Sequence, residues 1–331
     1  MRRLTLALTT LFVSLVPLIA LAEEAHDHGS GGGGGGAGGS KIGAWLAFLW
    51  QPKFMTMLAI GAVVLLLIKL KKMNTPVKVA LLLVSTFLFG LAANIPADVF
   101  GKFAMHPSPM CAFTKPLLYG MRKPFIVTMA VIGVLTLVGP KLFCGWICPV
   151  GAVQELISML SEKLKIKVEA LPFRLTNTVR IGFALAFILL STTGLIAGSL
   201  YDWVNPFHGF EIAMPETFKG FAMGYLPFLL TIGLAFKTYR PFCFLLCPVG
   251  LASHALEQIG LFRVSHDADK CNDCMKCRKD SLCPTVPDIL QAAELRPDCY
   301  ACNRCVDACP SGALTYGLAR RKGKRYQNLA S

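Results

Sequence analysis

Eight cysteines between residues 271 and 309 constrain this chain more than any other feature. Cys271, Cys274 and Cys277 follow C-x2-C-x2-C, and Cys283-Pro284 comes after five more residues. Cys299, Cys302, Cys305 and Cys309-Pro310 follow C-x2-C-x2-C-x3-C-P in full. A two-residue gap lets successive thiolates wrap one iron–sulfur cube while backbone N–H groups point at its sulfides, and the proline ends the ligand loop. In the bacterial two-cluster pattern the fourth cysteine of each run ligates the other cluster. The spacing therefore predicts one 4Fe–4S cluster on Cys271, Cys274, Cys277 and Cys309, and a second on Cys299, Cys302, Cys305 and Cys283. The longer gap before Cys283 enlarges one loop without removing a ligand. Structural zinc also uses C-x2-C pairs, but two triplets plus two Cys-Pro steps serve it poorly.

The rest of the chain is built for a different solvent. Hydrophobic residues make up 54% of the 331 and charged residues only 16%, against about 25% charged in a soluble globule. Apolar stretches at 53–70, 77–95, 124–139, 179–199 and 221–237 read as membrane helices, each needing about 20 residues to cross the hydrocarbon. The third is short, and Pro140 with the apolar residues after it is expected to continue it at depth; Pro227 marks a kink in the fifth. The segment before the first span places Trp45 and Trp50 as an interfacial helix would.

The net charge of +14 is read first as topology. Lys69, Lys71, Lys72 and Lys78 follow the first span, Lys141, Lys163, Lys165, Lys167 and Arg174 separate the third and fourth, and Lys237 and Arg240 follow the fifth. The loop 200–220 instead has Asp202, Glu211 and Glu216 against Lys219. This puts the N-terminus outside and the C-terminus inside. The loop 96–123, with Lys102, Lys115, Arg122 and Lys123, runs against the pattern and is outweighed by the other regions. The basic tail 319–331 suits anionic lipid or an acidic partner better than nucleic acid. Residues 1–22 read as a signal peptide ending Ala20-Leu21-Ala22, or as an anchor helix. Residues 23–40 read as a Gly-rich tether, on which His26-Asp27-His28 is a poor metal site.

A nine-residue motif occurs twice. Phe143-Cys144 to Cys148-Pro149-Val150-Gly151 recurs as Phe242-Cys243 to Cys247-Pro248-Val249-Gly250, each copy after a span and a basic residue. An even number of spans lies between them, so both fall on one side, the cytoplasmic one in this orientation. Cysteines at i and i+4 share a helix face. Two such pairs offer four thiolates for a third cluster, a redox-active dithiol, or the wall of a quinone site; the spacing leaves these open. Between the copies, Val153, Leu156, Ile157, Leu160 and Leu164 recur at helical spacing, as in an amphipathic helix on the inner membrane face or one packed on the protein's own core.

The outer loops hold the remaining candidates. His106 and His208, or a carboxylate such as Asp98 or Glu211, suit the proton acceptor that quinol oxidation requires. Cys111 is the odd thiol, read by default as buried. No C-x-x-C-H occurs, which excludes covalent c-type haem, and no nucleotide-binding motif appears.

With paired FCxxxCPVG motifs followed by two ferredoxin runs, residues 75–318 resemble the membrane polyferredoxins of periplasmic respiratory systems, the NapH and NosR types. The resemblance implies electron passage between the quinone pool and a partner ferredoxin or cytochrome-type subunit, as in a quinol dehydrogenase, in the bacterial inner membrane. It carries over Cys144, Cys148, Cys243 and Cys247 as the family's Cys-Pro motifs and the eight later cysteines as ligands. The chain departs from it in the Gly-rich tether and in lacking the flavin-bearing outer domain of the NosR type. The expected architecture is mostly α: a bundle of about five transmembrane helices over 41–262, then a small α+β two-cluster ferredoxin domain over 263–318. The rival reading is a maturation or regulatory factor for a periplasmic metalloenzyme.

Overall fold

The computed structural model describes residues 48–95, 98–105, 107–169, 171–193, 200–211, 218–281, 283–291 and 298–318. The signal segment, the tether with His26-Asp27-His28, Trp45, His106 and the basic tail lie outside the described residues.

The chain is mostly helical. Helix α1 (Pro52–Lys69) starts at a proline, whose missing N–H is no loss at a helix N-terminus. Helix α2 (Thr75–Thr86) runs on into a π-turn, Phe87–Leu91, and a 3-10 turn, Ala92–Asn94. Helix α3 (Pro109–Thr114) is capped by Ser108, whose hydroxyl accepts from the Cys111 N–H at 3.2 Å. Helix α4 (Lys123–Val138) packs against α1 and α3. Then come α5 (Pro149–Lys163), α6 (Phe173–Thr192), α7 (Phe218–Ala235, with Pro227 inside it) and α8 (Pro248–Glu257). The last part of the chain is bracketed by β1 (Phe262–His266) and β2 (Leu314–Leu318), antiparallel with Phe262 opposite Leu318 and His266 opposite Leu314. Short helices lie between the strands, among them α9 (Lys276–Ser281), the turn Val286–Leu290 and α10 (Arg304–Asp307).

Helices α1 and α6 are long and apolar enough to cross a membrane; Thr75–Leu91, Lys123–Val138 and Phe221–Ala235 are shorter apolar helices. Two boundaries differ from expectation. The fourth apolar helix begins at Phe173, not at 179, because its first turns are polar residues turned inward: Thr176, Asn177 and Arg180 are buried. The third ends at Val138 and does not continue through Pro140, since a proline disfavours the helical conformation in the residue before it. The chain breaks at Gly139 and restarts as a π-turn, Phe143–Ile147.

Burial is distributed unlike that of a water-soluble bundle. Leu66, Leu70, Leu83, Leu185, Leu189, Leu229, Leu230 and Leu234 are exposed, while Arg180, Arg240, Lys141 and Glu155 are fully buried. Helix α5 makes the point sharply: Gln154, Glu155, Ser158 and Ser161 face inward, and Leu160 and Leu164 face out. Of its apolar stripe, Val153 and Leu156 pack against the buried core, and Leu160 and Leu164 are left exposed. Large contiguous apolar surface of this kind is unstable in water and suits lipid. One buried apolar cluster extends from Phe54 and Met57 of α1 through Phe143 and Trp146 to Tyr300 and Ala301, so the final cysteine run is packed into the bundle. A smaller cluster of Val264, Val286, Ile289, Leu290 and Leu314 holds the sheet and its helices together.

Candidate metal centres

The twelve cysteines of the motifs gather in three groups of four, each around a cavity. Cys271, Cys274, Cys277 and Cys309 line one. Cys283, Cys299, Cys302 and Cys305 line another. Cys144, Cys148, Cys243 and Cys247 line the third. Three chambers, each with four sulfurs, fit one type of guest. A tetrahedral-iron cube held by four thiolates has this donor set. Charge interactions describe the same grouping. The Cys277 thiol is pushed up first by burial and then by Cys309, Cys271 and Cys274. Cys305 is pushed up by burial and then by Cys283, Cys302 and Cys299, with Cys277 of the neighbouring chamber next. Cys148 is raised by burial and by Cys243, Cys144 and Cys247. Burial lifts Cys144 and Cys283 to about 12. Thiols crowded this way ionise only when a strong cationic group shares the chamber.

The paired-loop chamber is built by repetition. Phe143, Cys144, Cys148 and Val150 of the first copy and Phe242, Cys243, Cys247 and Val249 of the second all line it. In each copy the second cysteine is the N-cap of the helix that follows, α5 or α8, with proline at its first position. Gly151 and Gly250 lie against the carbonyl oxygens of Cys144 and Cys243, where a side chain would have no room. The basic residue two places before each phenylalanine is held in the left-handed conformation, Lys141 at φ 43° and Arg240 at φ 48°. Such a conformation costs a non-glycine residue about 1 kcal/mol or more.

Two buried acids hold these cations and tie the chambers together. Glu155 of α5 accepts from Lys78 at 2.6 Å, Tyr239 at 2.9 Å, Arg240 at 3.0 Å and Arg304 at 2.9 Å. Burial works against its charge, yet Lys78, Arg240 and Arg304 outweigh it and hold the carboxyl well below the usual carboxylate range. Asp298, the residue before Cys299, is ion-paired with Lys141 and with Arg180 at 2.9 Å, and His254 Nδ1 lies 3.2 Å from its carboxylate. Burial again opposes ionisation, and Arg180 and Lys141 override it. Each acid thus joins the preceding helices to the final cysteine run, Glu155 through Arg304 and Asp298 directly. The sequence signals missed were Glu155, a carboxylate between Val153 and Leu156 of the helix's apolar stripe, and Asp298.

The final run also closes the paired-loop chamber. Tyr300 lines both that chamber and the one of Cys283, Cys299, Cys302 and Cys305. Its carbonyl oxygen lies where a Cβ on Gly145 would be, so only glycine fits there. The Trp146 indole donates to the Ala301 carbonyl at 3.2 Å.

The outer-loop candidates separate. His208 lines a larger cavity of about 250 Å³ together with Phe89, Ser108, Cys111, Lys115 and Phe207. His208 Nδ1 lies 3.6 Å from Glu211 Oε1. Phe207 also lines the paired-loop chamber, so one side chain touches both spaces. Asp98 opens a single helical turn, Asp98–Gly101, and His106 is outside the described residues. Cys111 is buried on α3.

Comparison with known proteins agrees on the iron–sulfur chemistry. Residues 123–167 and 221–265 match the family described as a 4Fe-4S binding domain, the two segments that contain the FCxxxCPVG motifs. The chain is 31% identical over 183 residues to the ferredoxin-type protein NapH of Haemophilus influenzae, covering 52% of this chain and 60% of that one. It is 30% identical over 190 residues to NapH of Escherichia coli K12, covering 54% and 62%. It is 27% identical over 191 residues to the regulatory protein NosR of Stutzerimonas stutzeri, covering 55% of this chain and 25% of that one. The match thus spans less than two thirds of these relatives. No solved structure matches the chain. By its paired 4Fe–4S binding segments and over about half its length, the chain is similar to iron–sulfur proteins of the NapH and NosR kinds.

Proposed function

We propose that the protein is a membrane-bound electron conduit between the quinone pool and a partner redox protein. The observation that carries this reading is the series of three four-cysteine chambers, linked by Tyr300 at one boundary and by Cys277 and Cys305 at the other. In this reading Cys271, Cys274, Cys277 and Cys309 hold one 4Fe–4S cluster and Cys283, Cys299, Cys302 and Cys305 a second. Cys144, Cys148, Cys243 and Cys247 hold a third, and the choice among cluster, dithiol and wall goes to the cluster because the three chambers share one donor set of four thiols. Iron and sulfide supply one-electron chemistry. The polypeptide supplies ligands, excludes water and sets the surrounding charge.

All five apolar helices cross the inner membrane in this reading, with the N-terminus periplasmic and the ferredoxin domain cytoplasmic. The exposed leucines of α1, α2, α6 and α7 support it, as does the basic content of the loops on the ferredoxin side. The cavity beside His208 is the quinone end: aromatic walls suit a planar ring, Lys115 and Ser108 suit its oxygens, and His208 with Glu211 suits proton removal. The more exposed chamber, with Cys274 at the surface, is the end that meets the partner.

The full chain purified without oxygen tests the reading. It should contain about twelve irons, four per cube, and show cluster reduction by menaquinol. A quinol-silent protein with fully reducible clusters would sink the quinone part. The NosR relative is named a regulatory protein, which favours a second reading as a redox factor for maturation or regulation of another metalloenzyme. That reading requires delivery of reducing equivalents or metal with no quinol reaction.

A further inference from the structure

Resting on the reading of the paired-loop chamber as an iron–sulfur centre, we propose that Tyr300, clamped between Lys141 and Arg240, is the bridge that couples that chamber to the one formed by Cys283, Cys299, Cys302 and Cys305. Three observations meet at this residue. Its side chain is buried, and it is the tyrosine that lines both chambers. The Arg240 guanidinium carbon stands 4.6 Å from the ring centroid and the Lys141 Nζ 5.1 Å. These are the equivalent cations of the two motif copies, both held left-handed. Phe244 meets the same ring edge-on at 5.3 Å. The ring therefore sits where the two halves of the repeat and the ferredoxin loop converge, and Gly145 in the first copy has no side chain so that the Tyr300 backbone can enter.

The physical case is one of filled space and fixed charge. Electron tunnelling falls off less steeply through packed atoms than across a gap, and a rigid ring held from several sides leaves no gap. A cation over an aromatic face is attracted to it and stays there, so Lys141 and Arg240 pin the ring while placing positive charge beside both chambers. The transfer moves one electron at a time, one side being oxidised as the other is reduced, and involves no proton and no covalent bond. The hydroxyl has no hydrogen-bond partner among the described residues, which assigns the bridging role to the ring. Tyr300 is thus a positioning residue and not a ligand.

The test compares the full chain with Tyr300→Phe, Tyr300→Leu and Tyr300→Met, all purified without oxygen. Leucine and methionine are two different aliphatic fillers of the site. The measurements are iron and sulfide content, spin–spin splitting in the EPR of the fully reduced protein, and the rate of electron redistribution after flash reduction. Tyr300→Phe should match the parent. Tyr300→Leu and Tyr300→Met should keep their iron and their splitting, which the separation of the centres sets, and slow redistribution by an order of magnitude. Full iron with an unchanged rate in both aliphatic variants overturns the proposal. Loss of iron in both assigns Tyr300 to packing and also overturns it. About eight irons in the parent instead of twelve would remove the third centre, a failure visible before any variant is made.

Discussion

Gly145 and Trp146 stand in the first copy of the nine-residue motif where Phe244 and Leu245 stand in the second. The first copy offers a bare backbone and an indole N–H to the ferredoxin loop; the second offers a phenyl ring to the edge of Tyr300. The residues the copies share do something else. Phenylalanine, both cysteines and valine of each copy line the chamber, and proline with glycine turns the chain into the next helix. Shared positions build the site, and variable ones build the contact that closes it. The flanks differ in the same way: Glu155 and His254 occupy equivalent positions, ninety-nine residues apart. Glu155 gathers three cations, while His254 is one of three partners of an acid supplied by the ferredoxin run.

That asymmetry yields the largest predicted effect. Glu155→Gln leaves Lys78 and Arg240 buried without their counter-charge, while Arg304 keeps Glu162, and should cost about 3–5 kcal/mol, seen as a lower unfolding midpoint in detergent. His254→Asn leaves Asp298 with Lys141 and Arg180 and should cost only about 1 kcal/mol. Equal losses would break the comparison. The pH dependence sharpens it. The Glu155 carboxyl is held below its ordinary 4.5 in the folded protein, so the unfolded chain binds its proton first as pH falls. Its stabilisation is therefore present above that value and is lost progressively below it. Glu155→Gln should flatten the acid limb of a stability–pH profile, and an unchanged acid limb would remove Glu155 from the account.

A smaller effect, about 1–3 kcal/mol, is expected where a methyl group is forced into a packed contact. Gly145→Ala places it against the Tyr300 carbonyl and should loosen the ferredoxin loop, seen as faster proteolysis near residue 300. Gly151→Ala and Gly250→Ala press instead on the carbonyls of Cys144 and Cys243. These two should behave alike, lowering iron content while the loop stays protected. The smallest effect belongs to Trp146→Phe, which loses one hydrogen bond to Ala301 worth about 1 kcal/mol. Iron content should not change; a large loss of iron would place Trp146 among the chamber residues and not the docking ones.

The gathering of the cysteines was legible in large part because spacing is a local property. Cys271, Cys274 and Cys277 are near one another in any compact loop, and the fold brings Cys309 to them through β2, paired with β1. The onset of α6 at Phe173 was not legible from hydropathy, because Asn177 and Arg180 read as loop until Asp298, more than a hundred residues later, is known to face them. Helix α5 reads as amphipathic in the sequence, but which face turns inward depends on the solvent, and here the polar face does. Tyr300 carries no spacing signal at all: its position is fixed by long-range packing against two loops that precede it by about fifty and about a hundred and fifty residues.

That order along the chain has a consequence for biogenesis. The paired loops and their helices are synthesised before the tyrosine that caps them, so the chamber they form stays uncapped until the later segment has emerged and folded. A group held by Cys144, Cys148, Cys243 and Cys247 would have its window of entry in that interval, and docking of the final cysteine run shuts it.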